Sequence, residues 1–407
     1  MNLLEEVIDQ DVCAGCGLCA SISDKIEMKL SKEGFLRPDF LPNSISDDTL
    51  EDISKFCPGI IVKHDLNYDV SNVSDNVWGP YFNISSGFAT KKDVRYNGSS
   101  GGVLTALSVF LLETKEVDCI VHVGAGTKLP YLNETKVSFT TEDVLSNSGS
   151  RYAPSSPLEV IKSLLEDNLI FAVVAKPCDI SAIRRYLNVK SEFKKNIKYL
   201  FSFMCAGVPS IEGTKETIKK LNVDINNVKT LKYRGEGWPG FFKVVDKNSK
   251  EYKMSYNESW GGILNKHLQF RCKICIDGTG EFADITCADA WDEAKGGYPS
   301  FQEKEGQSLI IERTSKGVEL INKAIKGGYI IKNKPFNLRD IDKIQPYQLT
   351  RKQNIISRKM ALKMLGYNLP NYNLRSLLSL TVNQSPQKIA KNFVGMFLRK
   401  LKQKKHD

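Results

Sequence analysis

The sequence predicts an α/β protein in three segments, and three observations carry that expectation. Cysteines crowd the start of the chain: Cys13, Cys16 and Cys19 stand three apart in DVCAGCGLCA, and Cys57 follows later beside Pro58. From Phe82 to Leu338, short apolar β-rich runs alternate with helical patterns, as expected of an α/β core with a mixed or largely parallel sheet. Beyond Arg339 the sequence turns helical and basic, with breaks at Pro370 and Pro386. The expected divisions are residues 1–65, a cysteine-rich module; 66–340, the α/β core; and 341–407, a basic helical tail.

The first segment reads as a ferredoxin-like module. A C-x-x-C-x-x-C run lets one tight loop present three thiolates, with Gly15 and Gly17 relieving its backbone, and a Cys-Pro elsewhere supplies a fourth. That is the ligand pattern of a 4Fe-4S cluster held by Cys13, Cys16, Cys19 and Cys57. Zinc is the competing reading, but zinc motifs rarely carry three cysteines at this spacing. Where a bacterial ferredoxin places its last Cys-Pro this chain has Ser23, so Cys57 must close the site across a loop, and one N-terminal cluster is expected rather than two. Lys25–Leu30 alternates like a strand, Glu33-Gly34 is a turn, and so small a module depends on its cluster for cohesion.

In the core, Gly101–Glu113 reads as a helix entered from a Gly/Ser loop, Cys119–Gly124 as a buried strand, Pro157–Asp167 as a helix and Leu169–Ala175 as a strand. The helix Ile180–Leu187, the strand Tyr199–Met204 and the helix Ile211–Leu221 follow, and Leu231–Asp246 reads as antiparallel hairpins around Gly235–Gly240. In such folds ligands gather beyond the carboxyl ends of the strands. Cys178 and Cys205 each follow an apolar strand and so share one rim, which makes them the expected partners of Cys272 and Cys275, a C-x-x-C in RCKICID. The alternative leaves Cys178 and Cys205 as small buried residues and the second cluster unformed. Cys119 lies inside a strand and reads as core, while Cys287 is undecided.

Three loops suit an anionic cofactor. Asn97–Gly102 (NGSSGG) precedes a helix, which puts Ser99, Ser100, Gly101 and Gly102 where the positive helix end would meet a phosphate. Ser148–Ser156 adds Ser150, Arg151 and Tyr152, and Lys176 leaves its strand where it would neutralise a reduced flavin or a phosphate. Each alone is also an ordinary turn; together, beside cysteines, they read as a flavin pocket. No catalytic residue stands out. Four histidines without H-x-H or H-E-x-x-H disfavour a histidine–metal enzyme, His122 and His267 read as packed or surface side chains, and no G-x-S-x-G occurs. Asp284, Asp289 and Asp292, around Trp291, suit turn and surface roles at least as well as acid–base work.

The net charge of +10 is local: residues 351–407 hold thirteen Lys or Arg against Asp407 alone, which leaves 44 basic and 46 acidic side chains in the preceding 350 residues. A near-neutral body argues against a broad nucleic-acid surface. The acidic N-terminus lacks a basic n-region and an apolar run, and ten cysteines in so long a chain suit a reducing, cytoplasmic setting. In the tail, Ile389, Phe393, Phe397 and Leu401 share one helical face flanked by Lys388, Lys391, Arg399 and Lys400. That face docks on the protein's own core or a partner, or else makes peripheral contact with an anionic membrane.

In order, CAGCGLC with EGFLRP, NGSSGGVLTAL, GSRYAPSS, KPCDI, FMCAGVPS, LKYRGEGWPG and RCKICIDGTGEFADITCADAW span most of residues 10–295. The set resembles the β subunit of coenzyme F-420-reducing hydrogenases and dehydrogenases, a family that also includes plant hydroxymethyl-chlorophyll reductase and bacterial members associated with surface-polysaccharide genes. The resemblance implies FAD beside one or two 4Fe-4S clusters, the second drawing on the positions of Cys178, Cys205, Cys272 and Cys275, with Ser99–Gly102 and Ser150–Tyr152 at the flavin. It implies an oxidoreductase that passes electrons singly through the clusters and in pairs through the flavin. The organic partner would be the deazaflavin coenzyme or another small molecule, with a redox partner protein or ferredoxin on the other side. The alternative is a non-catalytic electron-transfer subunit of a larger complex, and an oligomer is compatible with both. Two departures stand out: one N-terminal cysteine set where many relatives have two, and Cys287 where a glycine is expected.

Overall fold

The computed structural model describes residues 2–292 and 299–403. Its centre is an eight-stranded sheet of β1 (Asn83–Ala89), β2 (Cys119–Ala125), β3 (Asn133–Ser138), β4 (Phe171–Ala175), β5 (Ile197–Phe203), β6 (Ile285–Asp289), β7 (Ser308–Glu312) and β8 (Ile330–Pro335). They lie in the order β8-β1-β7-β6-β5-β4-β2-β3. Strands β2, β4, β5 and β6 are mutually parallel, whereas β3 closes one edge and β7, β1 and β8 extend the other in antiparallel fashion.

Parallel strands need cover on both faces, and FAVVA in β4 supplies apolar side chains to each. Phe171, Val173 and Ala175 pack with Ile180 and Ile183 of the helix Pro177–Val189. Ala172 faces the other way, into a cluster built on Leu107 and Phe110 of the helix Val103–Glu113 and Ile321 of the helix Ser315–Lys326.

The three sequence segments share this core. Leu4, Leu18, Ile53 and Phe56 join the same apolar cluster as Val173 and Ile183 and, from the far end of the chain, Ile355, Tyr372 and Leu377. The short strand Ile61–Val62 pairs in parallel with Asn371–Tyr372. The first 65 residues therefore lean on the α/β core and on the tail as well as on whatever their cysteines bind.

The last helix, Pro386–Gln403, lies along the helix Ile355–Met364 and carries Phe393, Met396 and Phe397 into a cluster with Phe270, Ile274, Cys13 and Cys57. Lys400 is buried there, its Nζ 3.7 Å from the Phe270 ring centroid and 3.8 Å from Asp11. The amphipathic face foreseen in the sequence thus packs on the protein itself. Among the described residues, no helix is long and apolar enough to cross a membrane.

Met396 is 2% exposed. We expect Met396→Ala to cost about 2–5 kcal/mol and, in metal-free protein, to speed alkylation of Cys13; an unchanged alkylation rate would show that the helix does not cover that thiol.

His122 on β2 is packed against β3, its Nε2 2.7 Å from Ser138 Oγ, and burial lowers its pKa from 6.5 to about 4. Between those values the unfolded chain binds a proton that the folded chain refuses, so stability falls as pH drops through that window, by up to about 3 kcal/mol. Denaturant titrations at pH 7 and near pH 4 should show a smaller pH-dependent loss for His122→Gln than for the native chain. Equal losses would mean that this imidazole does not govern the effect.

Candidate functional site

Glycine shapes the first cysteine loop. Gly15 and Gly17 take left-handed φ values of +69° and +85°, and a Cβ on Gly17 would lie 2.9 Å from that of Ser156. The loop docks on that neighbour: Ser156 Oγ–H donates to the Gly15 carbonyl and Leu158 N–H to the Cys16 carbonyl, both at 3.0 Å. Cys19 rides on the helix Leu18–Ile22, and Cys57 ends the helix Asp47–Phe56.

The four thiols feel one another. Burial, with Cys13 adding to it, pushes Cys57 up to about 12. Burial also raises Cys16, helped by Asp179 and then Cys57, and raises Cys19, helped by Cys16 and Cys13. Backbone N–H groups of Leu18, Ala20 and Gly59 oppose this by favouring the thiolates of Cys16, Cys19 and Cys57, and Gly15 N–H donates to Cys13 Sγ at 3.3 Å.

The second set assembles where the parallel strands end. Cys178 sits in the first turn after β4, Cys205 lies just beyond β5, and Cys272 and Cys275 come from the short helix Phe270–Lys273 and the turn behind it. All four line one small cavity. Burial, then Cys272, pushes Cys205 up to about 12, with Arg351 pulling it down; burial and Asp179 raise Cys178, with Lys176 opposing. Val208 N–H donates to Cys272 Sγ at 3.3 Å.

The same cavity is lined by Arg271 and Arg351, 2% and 4% exposed, and among the described residues neither has an ion-pair partner. Arg271 Nε and Nη1 and Arg351 Nε are buried without a hydrogen-bond partner, as is Asp277 Oδ2, whose carboxyl is shifted upward by burial and Glu281. Buried guanidinium without an anion is costly, so this wall is suited to a group that brings negative charge. Four thiolates around an iron–sulfur core would do so. Among the described residues no three His, Cys, Asp or Glu side chains converge on a single metal ion. A four-iron core offers each thiolate its own iron and does not require such convergence.

Lys176 and Asp179 stand between the sets. Lys176 Nζ lies 2.6 Å from Asp179 Oδ1 and donates to the Ser155 carbonyl at 3.3 Å. Burial works against the Lys176 charge, but Asp179 and Cys178 outweigh it and raise its pKa; burial lifts Asp179 to about 6 against the pull of Lys176. Lys176, expected at a flavin, stands beside Cys178 and Cys16.

The remaining expected cofactor residues form a joint between loops. Ser150 N–H donates to Ser99 Oγ at 2.5 Å, and Ser100 Oγ lies 2.7 Å from Ser308 Oγ. Gly101 is pressed on β1 and β7: a Cβ there would lie 2.7 Å from both the Gly87 carbonyl oxygen and Ser308 N. Gly102, φ +73°, opens the helix Val103–Glu113, which has no side-chain N-cap, so its first N–H groups suit an anion. Arg151 has four of its five N–H donors on protein oxygens, those of Asn133, Leu231, Pro130 and Leu132, all at 2.8 Å. It ties the loop down rather than reaching outward. Tyr152 is half-buried, its ring 4.8 Å from Trp260.

Beside this joint lies a group that sequence reasoning did not assemble. Arg234 holds Asp289 bidentately at 2.9 Å on each arm, Trp238 Nε1–H donates to the same carboxylate at 2.7 Å, and Trp238 stacks on Trp291 with centroids 4.6 Å apart. Gly237 N–H donates to the Tyr96 carbonyl, bringing the Gly235–Gly240 turn against the Gly/Ser loop. The signal was present only as separate clusters, RGEGWPG and ADAW. Asp284, in contrast, is a core ion pair with Arg184 at 2.8 Å and Lys316 at 3.1 Å, and Asp292 pairs with Lys304 at 2.5 Å. Cys119 and Cys287 are strand residues of the core, and burial pushes both thiols up.

Because Gly101 has no room for a side chain, Gly101→Ala should lower stability by about 1–3 kcal/mol in denaturant titration, and a change within a few tenths would show that the loop gives way freely.

Two adjoining regions match the two halves of one family, described as "Coenzyme F420 hydrogenase/dehydrogenase, beta subunit": residues 84–162 match its N-terminal part and residues 170–336 its C-terminal part. The chain is 27% identical over 302 residues to the coenzyme F420 hydrogenase subunit beta of Methanococcus voltae, covering 72% of this chain and 99% of that one. It is 26% identical over 374 residues to the coenzyme F420-dependent sulfite reductase of Methanocaldococcus jannaschii, covering 88% of this chain and 52% of that one. In fold it is similar to a chain of the F420-reducing [NiFe] hydrogenase complex from Methanosarcina barkeri, with a TM-score of 0.55 and 21% identity over 74% of this chain and 98% of that one. Matched in order over more than half its length, the chain belongs to the coenzyme F420 hydrogenase/dehydrogenase beta subunit family.

Proposed function

We propose that this protein is a flavin- and iron–sulfur-dependent oxidoreductase with two 4Fe-4S sites, Cys13, Cys16, Cys19 and Cys57 in one and Cys178, Cys205, Cys272 and Cys275 in the other. The observation that carries the reading is that eight cysteines from distant parts of the chain, Cys13 and Cys272 buried and the others half-buried, gather as two sets sharing Lys176, Asp179 and Arg271 as neighbours. When bound, the clusters would supply one-electron transfer and FAD the conversion to two-electron chemistry with an organic partner.

The residues divide the work. Backbone N–H groups of Gly15, Leu18, Ala20, Gly59 and Val208 stabilise thiolates, while Arg271 and Arg351 offset their charge. The Ser99–Gly102 loop, Ser150 and the uncapped start of the helix Val103–Glu113 would hold the FAD phosphates, with Tyr152 beside them and Arg151 fixing the loop. The deazaflavin coenzyme or another small molecule is the proposed substrate. A second reading, an electron-transfer subunit serving a separate catalytic protein, is favoured by the relatives named as subunits.

Anaerobically purified protein should contain about eight irons per chain and show flavin and cluster absorption together. Zinc, or no metal and no flavin after reconstitution, would overturn the proposal. Steady-state reduction of a small acceptor by the isolated chain separates enzyme from subunit.

A further inference from the structure

We propose that Arg271 is a positioning residue shared by both cysteine sets, a buried cation that, unlike Lys176, has no ion-pair partner among the described residues and so sets their reduction potentials together. The inference rests on the two-cluster reading and goes beyond it, because nothing in that reading requires the two potentials to be linked.

The geometry is specific to this arginine. Its Nη2–H donates at 2.9 Å to the carbonyl of Pro58, the residue after Cys57, while its side chain lines the cavity shared by Cys178, Cys205, Cys272 and Cys275. It therefore touches the backbone of one set and the wall of the other. A merely structural arginine uses its donors on protein: Arg313, equally buried, places four on Thr286, Trp78, Pro80 and Thr279 oxygens. Arg271 leaves Nε and Nη1 unmatched. Arg351 also lines the cavity, but its donors run to the Cys205 and Ala206 carbonyls, so it belongs to the second set alone.

A fixed positive charge favours whichever state of a nearby centre holds the extra electron, and net charge is one of the levers that set cluster potentials. One guanidinium between two centres must therefore move both in the same direction. Lysine keeps the charge but lacks the planar fork needed to reach the Pro58 carbonyl and the cavity at once.

The test uses the full chain, purified anaerobically, as Arg271→Met, Arg271→Lys and Arg351→Met, with iron and sulfide measured first and each centre then titrated by dye-mediated potentiometry with EPR detection. Arg271→Met should keep its iron and shift both centres to lower potential, changing each oxidised-to-reduced ratio at fixed potential about tenfold, or about 59 mV for one electron. Arg271→Lys should shift them less, and Arg351→Met should shift only the second centre. Potentials unmoved in Arg271→Met, or a shift of one centre alone, would overturn the inference. So would iron loss from both Arg271 variants with the fold retained by circular dichroism, which would make the residue a scaffold. A native chain that binds no second cluster would instead overturn the two-cluster reading.

Discussion

Buried positive charge without an ion-pair partner is the constraint on which this interior turns. Arg271 and Arg351 sit in a wall with three unmatched nitrogens, while Arg184, Lys176 and Arg313, also buried, are ion-paired or, for Arg313, hydrogen-bonded through most donors. Arg184 has Asp284, Lys176 has Asp179, and Arg313 places four of its five donors on protein oxygens. The contrast supports the proposal that the four cysteines of this cavity are held as thiolates around a cluster, whose negative charge would answer the two guanidinium groups.

Topology puts that cavity where it is. Parallel β4 and β5 end side by side, so the residues following them, Cys178 and Cys205, meet without further contrivance. The Phe270–Lys273 helix and the turn behind it bring in the C-x-x-C, and the first cysteine loop docks on the 156–158 segment. The tail helix then closes over Cys13 and Cys57 from outside. Segments remote in sequence are thus held in common, so that each cysteine set depends on packing contributed by the other's neighbours.

Much of this was legible because the signals were local. The Cys13–Cys19 spacing and its glycines are a single loop, and the strand-end positions of Cys178 and Cys205 follow from one rule about α/β sheets. Hairpins at Leu231–Asp246 were also visible, although the third strand of that small sheet, Glu251–Ser255, was not. What stayed hidden was tertiary. Periodicity identifies a strand but not its direction, so the antiparallel β1, β7 and β8 edge had no signature. Arg234 and Asp289 are far apart in sequence and acquire meaning only when the sheet brings them together. Arg151 and Lys176 read as cations available to a flavin or a phosphate because sequence shows charge and not the carbonyls or carboxylate that engage it.

The central claim is that two clusters occupy one interior as near neighbours, Asp179 acting on thiols of both sets. EPR of the fully reduced protein tests it most directly. Two centres this close should give a broadened, mutually split spectrum that simplifies when only one is reduced. A spectrum that is the simple sum of two isolated centres, or that shows one centre at full reduction, would contradict the account.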